Sequence, residues 1–258
     1  MTNIQRSLTA ATVAFIAMLH ATRASFDLGW TTKDTESYAI FPAAIPELSE
    51  LSVCFWMRTT DWDSELVVLS YATPDNDNEI VIYLPGEDKI RFYVAGQYKE
   101  AVANVRDGRF HQICMIWRKQ LGNWAIYIDA SRASAGIGLS SGVTIKDDGV
   151  LVIGQEQDEL AGDFDYNQAY IGELSDLNVF NRSLTDNEVN VMSRTCYYDG
   201  GNVLRWYDVR GGLRGNPKFY SPTACQGFDG EMINRNAAPV RTKSFLASDH
   251  YNRNGGAI

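Results

Sequence analysis

Ile90-Arg91-Phe92-Tyr93-Val94 sets out a period of two. In an extended chain Ile90, Phe92 and Val94 fall on one face, and Arg91 and Tyr93 fall on the other. That alternation marks a half-buried β-strand. It is one of a series of such runs: Ser52–Arg58, Leu66–Tyr71, Glu79–Leu84, Ile90–Ala95, Phe110–Trp117, Trp124–Asp129, Val150–Gly154, Ala169–Phe180 and Val203–Tyr207. Each is rich in Val, Ile, Tyr, Phe or Trp, and many are bounded by Gly, Pro, Asn or Asp. Short strands with regular turn signals predict an all-β, two-sheet antiparallel sandwich. One helix breaks the pattern. Thr185 stands three residues before Glu188, the capping-box spacing, and Val189, Val191 and Met192 follow, which predicts a short helix over Asp186–Arg194.

The 258 residues carry 45% hydrophobic and 21% charged side chains, an ordinary globular balance. The formal charge of -9 neutralises phosphates poorly, so nucleic acid is excluded as a partner and cations are favoured. At the N-terminus Arg6 precedes an apolar run from Leu8 to Leu19, and the small residues Thr22 and Ala24 follow. This is the layout of a signal peptide over residues 1–24. The run falls short of the ~20 residues that span a bilayer, and no later segment is apolar enough, so a secreted chain without a membrane span is expected. Removal of residues 1–24 takes Arg6 and Arg23 and no acid, leaving 21 basic against 32 acidic residues, a formal -11. Cys54, Cys114, Cys196 and Cys225 are an even set in an exported chain. Disulfides are expected, with three connectivities open. The polar run after about Thr223 predicts a loose C-terminal extension.

Two windows are lopsided. Asp61 to Asp88 holds eight acids and Asp147 to Asn181 holds nine, neither with a Lys or Arg. Glu156, Asp158, Glu159, Asp163 and Asp165 fall within ten residues. Two carboxylates about 4 Å apart repel by roughly 4 kcal/mol at an effective dielectric near 20. Charge alone reads these windows as solvated loops. If the fold gathers the acids, it needs water, protons or a cation, and carboxylate and amide oxygens are the ligands that Ca²⁺ prefers. An EF-hand is excluded: counted from Asp75, Ile80 stands where that loop needs Gly and Gly86 where it needs Glu.

Several strings resemble the pentraxin family: Leu69-Ser70-Tyr71-Ala72-Thr73 followed by Asp77-Asn78-Glu79-Ile80, Ile153-Gly154-Gln155-Glu156-Gln157-Asp158, Ile171-Gly172-Glu173-Leu174, and Asn202-Val203-Leu204-Arg205-Trp206. Order and spacing match from about Phe26 to Phe219. The signature strand is only partly kept: Cys114 and Trp117 are present, but Gln112 holds the His position, Ile116 the Ser/Thr position, and His111 lies one residue early. The resemblance implies a jelly-roll sandwich over 25–219, followed by an extension over 220–258, partly disordered. It implies two Ca²⁺ ions per subunit. Asp77, Asn78, Glu156, Asp158 and the backbone carbonyl of Gln157 would hold the first; Glu156, Asp158, Asp165 and Gln168 would hold the second. Asp165 stands where a Glu is usual, which predicts weaker or water-mediated hold on the second ion.

Tyr83 and Tyr93 match the walls of the family's ligand pocket, although plain strand packing explains them equally well. Tyr98 lies nearest the position where a Glu would meet choline. The implied ligands are therefore of phosphoethanolamine or acidic-sugar type more than phosphocholine. The family pairing implies a Cys54–Cys114 disulfide. Cys196 and Cys225 then either staple the extension or bond between subunits. Asn181-Arg182-Ser183 is a glycosylation acceptor. The function implied is a calcium-dependent lectin of innate defence, assembled as a cyclic homo-oligomer, and not an enzyme. Two alternatives share the sandwich. A laminin-G-like adhesion module is one. A glycoside hydrolase is the other, but Leu160 and Ala161 stand where its third acid would follow Glu156 and Asp158. A serine triad would have to draw on His111 or His250.

Overall fold

Fourteen strands and one α-helix follow one another in the computed structural model, which describes residues 26–194, 200–221 and 223. The signal segment 1–24, Cys196, Cys225, His250 and nearly all of the extension lie outside the described residues. The strands are β1 (Asp27–Trp30), β2 (Tyr38–Pro42), β3 (Glu50–Arg58), β4 (Leu66–Thr73), β5 (Asn76–Leu84), β6 (Lys89–Val94), β7 (Gln97–Val102), β8 (His111–Arg118), β9 (Asn123–Ile128), β10 (Ser131–Gly136), β11 (Val150–Ile153), β12 (Gly172–Phe180), β13 (Leu213–Arg214) and β14 (Lys218–Tyr220); α1 spans Asp186–Arg194. They form two seven-stranded antiparallel sheets. Sheet A runs β10-β9-β8-β3-β12-β1-β14, and sheet B runs β13-β2-β11-β4-β5-β6-β7.

The alternation at β6 works as the sequence implies. Ile90, Phe92 and Val94 are fully buried in the inter-sheet core, while Lys89, Arg91 and Tyr93 are half-buried on the outer face. The core continues through Phe55, Met57, Leu69, Ile82, Met115, Trp117 and Leu174. Burying such side chains contributes about 1.5–3 kcal/mol each. Two buried indoles are satisfied: Trp117 Nε1 donates to the Leu139 carbonyl at 2.8 Å and Trp206 Nε1 to the Phe26 carbonyl at 2.9 Å.

Each sheet also has part of its outer face covered. Over sheet A lies α1. Its capping box is formed, with Glu188 N donating to Thr185 Oγ1 at 3.3 Å and Thr185 N donating to Glu188 Oε2 at 2.8 Å. Val189 and Met192 then pack with Phe180, Ile116 and the Cys54–Cys114 disulfide. Cys54 and Cys114 are direct cross-strand partners of β3 and β8. Over sheet B lies the loop after β11. Beneath it every residue of β4 is buried.

One expected strand is corrected. Val203–Tyr207 makes only an isolated bridge, Leu204 to Val179, and a 3₁₀ turn begins at Trp206. The Asn178 side-chain oxygen accepts from Gly201 N at 2.9 Å and from Trp206 N at 3.3 Å. That side chain holds the segment in a bend. Another strand starts later than expected. β12 begins at Gly172, whose φ of 140° belongs to glycine, because Tyr170 N is bonded to the Gly154 carbonyl at 3.0 Å.

Candidate functional site

The loop between β11 and the Tyr166–Gln168 3₁₀ turn is fastened by two neutral amides, Gln157 to sheet B and Gln155 to the β1–β2 loop. Gln157 turns inward. Its Nε2 donates to the Val150 carbonyl at 3.0 Å and the Ser70 carbonyl at 3.1 Å, and its Oε1 accepts from Ala161 N at 2.9 Å. Gln155 Nε2 donates to the Asp34 carbonyl at 2.6 Å. With the side chains of 155 and 157 directed inward, Glu156 and Asp158 are presented toward the start of β5. There Asn78 Nδ2 donates to Asp77 Oδ1 at 2.9 Å.

The two acidic windows, some eighty residues apart in sequence, share one electrostatic field. Glu156 is pushed up to about 7, first by burial and then by the negative charges of Asp158, Asp77 and Asp165. Asp158 is raised by burial and then by Asp163, Asp77 and Asp165. Asp165 caps the 3₁₀ turn, its Oδ1 accepting from Asn167 N at 2.9 Å. Three buried oxygens here, Gln155 Oε1, Glu156 Oε2 and Gln168 Oε1, have no hydrogen-bond partner. A buried, unpartnered carboxylate among three other acids is a group that a hard cation satisfies. The fit lies in charge and orphaned oxygens more than in a finished cage. Among the described residues no group of three or more His, Cys, Asp or Glu side chains is positioned to hold an ion.

Two contributors were not identified from the sequence. Asp163 lay inside the acidic window but had no assigned role, and it raises Asp158. Lys33 comes from the β1–β2 loop. Its Nζ donates to the Asn167 carbonyl at 2.6 Å and the Glu65 carbonyl at 3.3 Å, within the field of Asp165. Nothing near Lys33 in the chain announces that contact.

Tyr83 and Tyr93 lie on the outer face of sheet B, where the acid loop also sits. Their rings are 6.4 Å apart in an edge-on pair, and Tyr98 lies 4.9 Å from Tyr93. They are half-buried. Asn181, exposed in the turn before α1, has its backbone N–H bonded to Asn202 Oδ1 at 3.1 Å. His111 stands at the far end of sheet A between two carboxylates, with Nδ1 2.7 Å from Asp129 and Nε2 3.0 Å from Asp107. Both ring nitrogens are engaged by acids, so it serves as a clamp between the ends of β8 and β9.

The model of the Pentaxin family matches residues 31–218. The chain belongs to the pentraxin family. Human neuronal pentraxin-1 is 31% identical over 202 residues, 78% of this chain and 47% of that protein. A mouse protein named for its sushi, von Willebrand factor type A, EGF and pentraxin domains is 31% identical over 216 residues, 80% of this chain and 6% of its own length. The chain thus spans about half the length of the neuronal relatives that it matches, or less. In fold it is similar to a heptameric SAP-like pentraxin from Limulus polyphemus, with a TM-score of 0.63, 23% identity, and coverage of 77% of this chain and 92% of that one. Members of that family are non-enzymatic binding proteins. Among the described residues no helix is long and apolar enough to cross a membrane.

Proposed function

We propose that this pentraxin is a secreted, calcium-dependent pattern-recognition lectin that binds phosphoryl, carboxylate or sugar oxygens on microbial or damaged-cell surfaces. The observation that carries the reading is the buried, unpartnered Glu156 carboxylate, pushed up to about 7 among Asp158, Asp77 and Asp165. Asp77, Asn78, Glu156, Asp158 and the Gln157 carbonyl are assigned to one Ca²⁺, and Glu156, Asp158, Asp165 and Gln168 to a second. Bound calcium supplies a concentrated positive charge with coordination positions for ligand oxygens. The chain's own part is to hold the acids together through the Gln157 and Gln155 tethers and to flank them with Tyr83 and Tyr93. Residues 1–24 direct export, 25–219 form the lectin domain, and Asn181 is assigned as a glycan acceptor.

The similar Limulus protein is heptameric, which supports a cyclic homo-oligomer here. Weak single sites on one side of a ring gain avidity without new contacts. The test is retention on a phosphoethanolamine or agarose resin in calcium and release by chelator, beside a native mass measurement of the assembly. Retention that persists in chelator overturns the mechanism.

A further inference from the structure

The loop that carries the acids is pinned near both ends by two neighbouring residues of the β1–β2 loop. Gln155, where the acid loop begins, donates through Nε2 to the Asp34 carbonyl at 2.6 Å. Asn167, near its end, accepts through its backbone carbonyl from Lys33 Nζ at 2.6 Å. The same ammonium donates to the Glu65 carbonyl at 3.3 Å. Lys33 thus makes one bond to each of the two acidic windows, neither of which holds a Lys or Arg of its own. Its own loop is well supported. Asp34 Oδ1 accepts from Glu36 N at 2.9 Å and from Ser37 N at 2.6 Å, and Trp30 Nε1 donates to the Ser37 carbonyl at 2.8 Å. The 3₁₀ turn at the end of the acid loop is ordered within itself. Gln168 N donates to the Asp165 carbonyl at 3.0 Å, and Asp165 Oδ1 accepts from Asn167 N and Nδ2, both at 2.9 Å. Among the described residues, what ties that turn to the rest of the molecule is the Lys33 bond and, just beyond it, Tyr170 N donating to the Gly154 carbonyl at 3.0 Å.

We propose that Lys33 is the positioning residue of the second ion site: by tying the Asn167 carbonyl to the Glu65 carbonyl, it sets Asp165 and Gln168 in place before an ion arrives. The proposal rests on the calcium reading given above. The buried, unpartnered Gln168 Oε1 belongs to the residue after the bonded carbonyl. The turn that Lys33 holds is therefore the one that carries this oxygen. The ammonium does so without consuming a side-chain ligand. Its bonds go to backbone carbonyls, while Asp61, Asp165 and Glu65 act on it through their field. A site ordered in advance loses less conformational freedom when it binds. A positive charge near Asp165 also repels a second cation, so position and charge act in opposite directions. Position outweighs charge here. A charge-assisted bond at 2.6 Å is about twice as strong as a neutral one, whereas water and salt screen the repulsion between partly exposed charges.

Two measurements on the full mature chain test this: calorimetric titration with calcium alone, and amide hydrogen exchange in chelator. Lys33→Met keeps the length of the side chain and removes both donor and charge. Its second equivalent of calcium is expected to bind about tenfold more weakly than in wild type, with the first equivalent unchanged. In chelator the amides of Asn167 and Gln168 should exchange about tenfold faster, while those of β4 keep their rate. Lys33→Arg retains charge and donors and should restore most of both losses. Should Lys33→Met not fold, Lys33→Gln, one bond too short to span the two carbonyls, gives the same reading. A second equivalent that binds Lys33→Met as tightly as wild type, or more tightly, overturns the proposal, as does unchanged exchange at Asn167 and Gln168. Equal weakening of both equivalents overturns it too, since Lys33 would then support the fold at large. Failure of the calcium reading shows separately: wild type would take up fewer than two equivalents, while the exchange measurement, run without calcium, still decides whether Lys33 holds the turn.

Discussion

The two outer faces of the sandwich are covered in opposite ways. On sheet A, α1 lays Val189 and Met192 over Phe180, Ile116 and the Cys54–Cys114 disulfide. Its capping box is formed, and Asp186 at its start is paired with Arg132 of β10. On sheet B, the 155–168 loop covers β4 with amides and carboxylates, and leaves Glu156 Oε2 and Gln168 Oε1 buried without partners. One face is closed mainly by apolar packing. The other gathers acids around buried oxygens that have no partner. On the function proposed above, the difference separates stability, carried by the helix face, from binding, carried by the acid face.

The largest expected effect lies on the helix face. Replacing Cys54 and Cys114 together by Ala opens a crosslink between residues 60 apart, worth about 4 kcal/mol by loop entropy. Urea unfolding should show the same loss with and without calcium. A loss that appears only in chelator would merge the two faces into one unit. Next comes the acid face. Calcium at about a hundred times its dissociation constant should add about 2.7 kcal/mol to unfolding, and Asp158→Asn should abolish the gain. A calcium response that survives in that variant removes Asp158 from the site.

A smaller, pH-dependent effect should separate the faces further. Glu156 titrates near 7 against an ordinary 4.5. Between those values the folded chain keeps a proton that the unfolded chain has shed. Stability of the calcium-free protein should therefore fall as pH rises from about 4.5 to about 7. Calcium should reverse the trend, because it needs the carboxylate ionised. Glu156→Gln should flatten the calcium-free slope, and an unchanged slope would show that another group titrates there. The smallest effect returns to the helix. Thr185→Ala removes the cap and should cost about 1 kcal/mol, with calcium titration unaltered.

Much of the helix face could be read from the chain. Thr185 and Glu188 stand at capping spacing, and α1 spans Asp186–Arg194, the span that they mark. Strands with strong alternation, such as β6, or dense β-branched content, such as β4, were equally plain. The strands that escaped lack that signal. β10 reads Ser131-Arg132-Ala133-Ser134-Ala135-Gly136, poor in β-formers, and is a strand because β9 pairs with it. β1, β2, β7, β13 and β14 have two to six residues each, too short for a period to establish itself. Val203–Tyr207 had the composition of a strand and was held in a bend by Asn178. The acid face was legible as charge, but not as geometry. Spacing places Glu156 and Asp158 near one another, yet nothing local brings Asp77 to them. Only the family resemblance linked the two windows.

The inward amide of Gln157 makes the acid loop a cantilever. Its root is clamped to Ser70 and Val150 by uncharged bonds that neither protons nor chelators touch. Its tip, Glu159 to Ala161, is exposed and closed by a bridge between Glu159 and Gly162. When cations are withdrawn, the root should stay docked while the tip swings, so a protease should cut first beyond Asp158 and spare the segment that lies on the sheet.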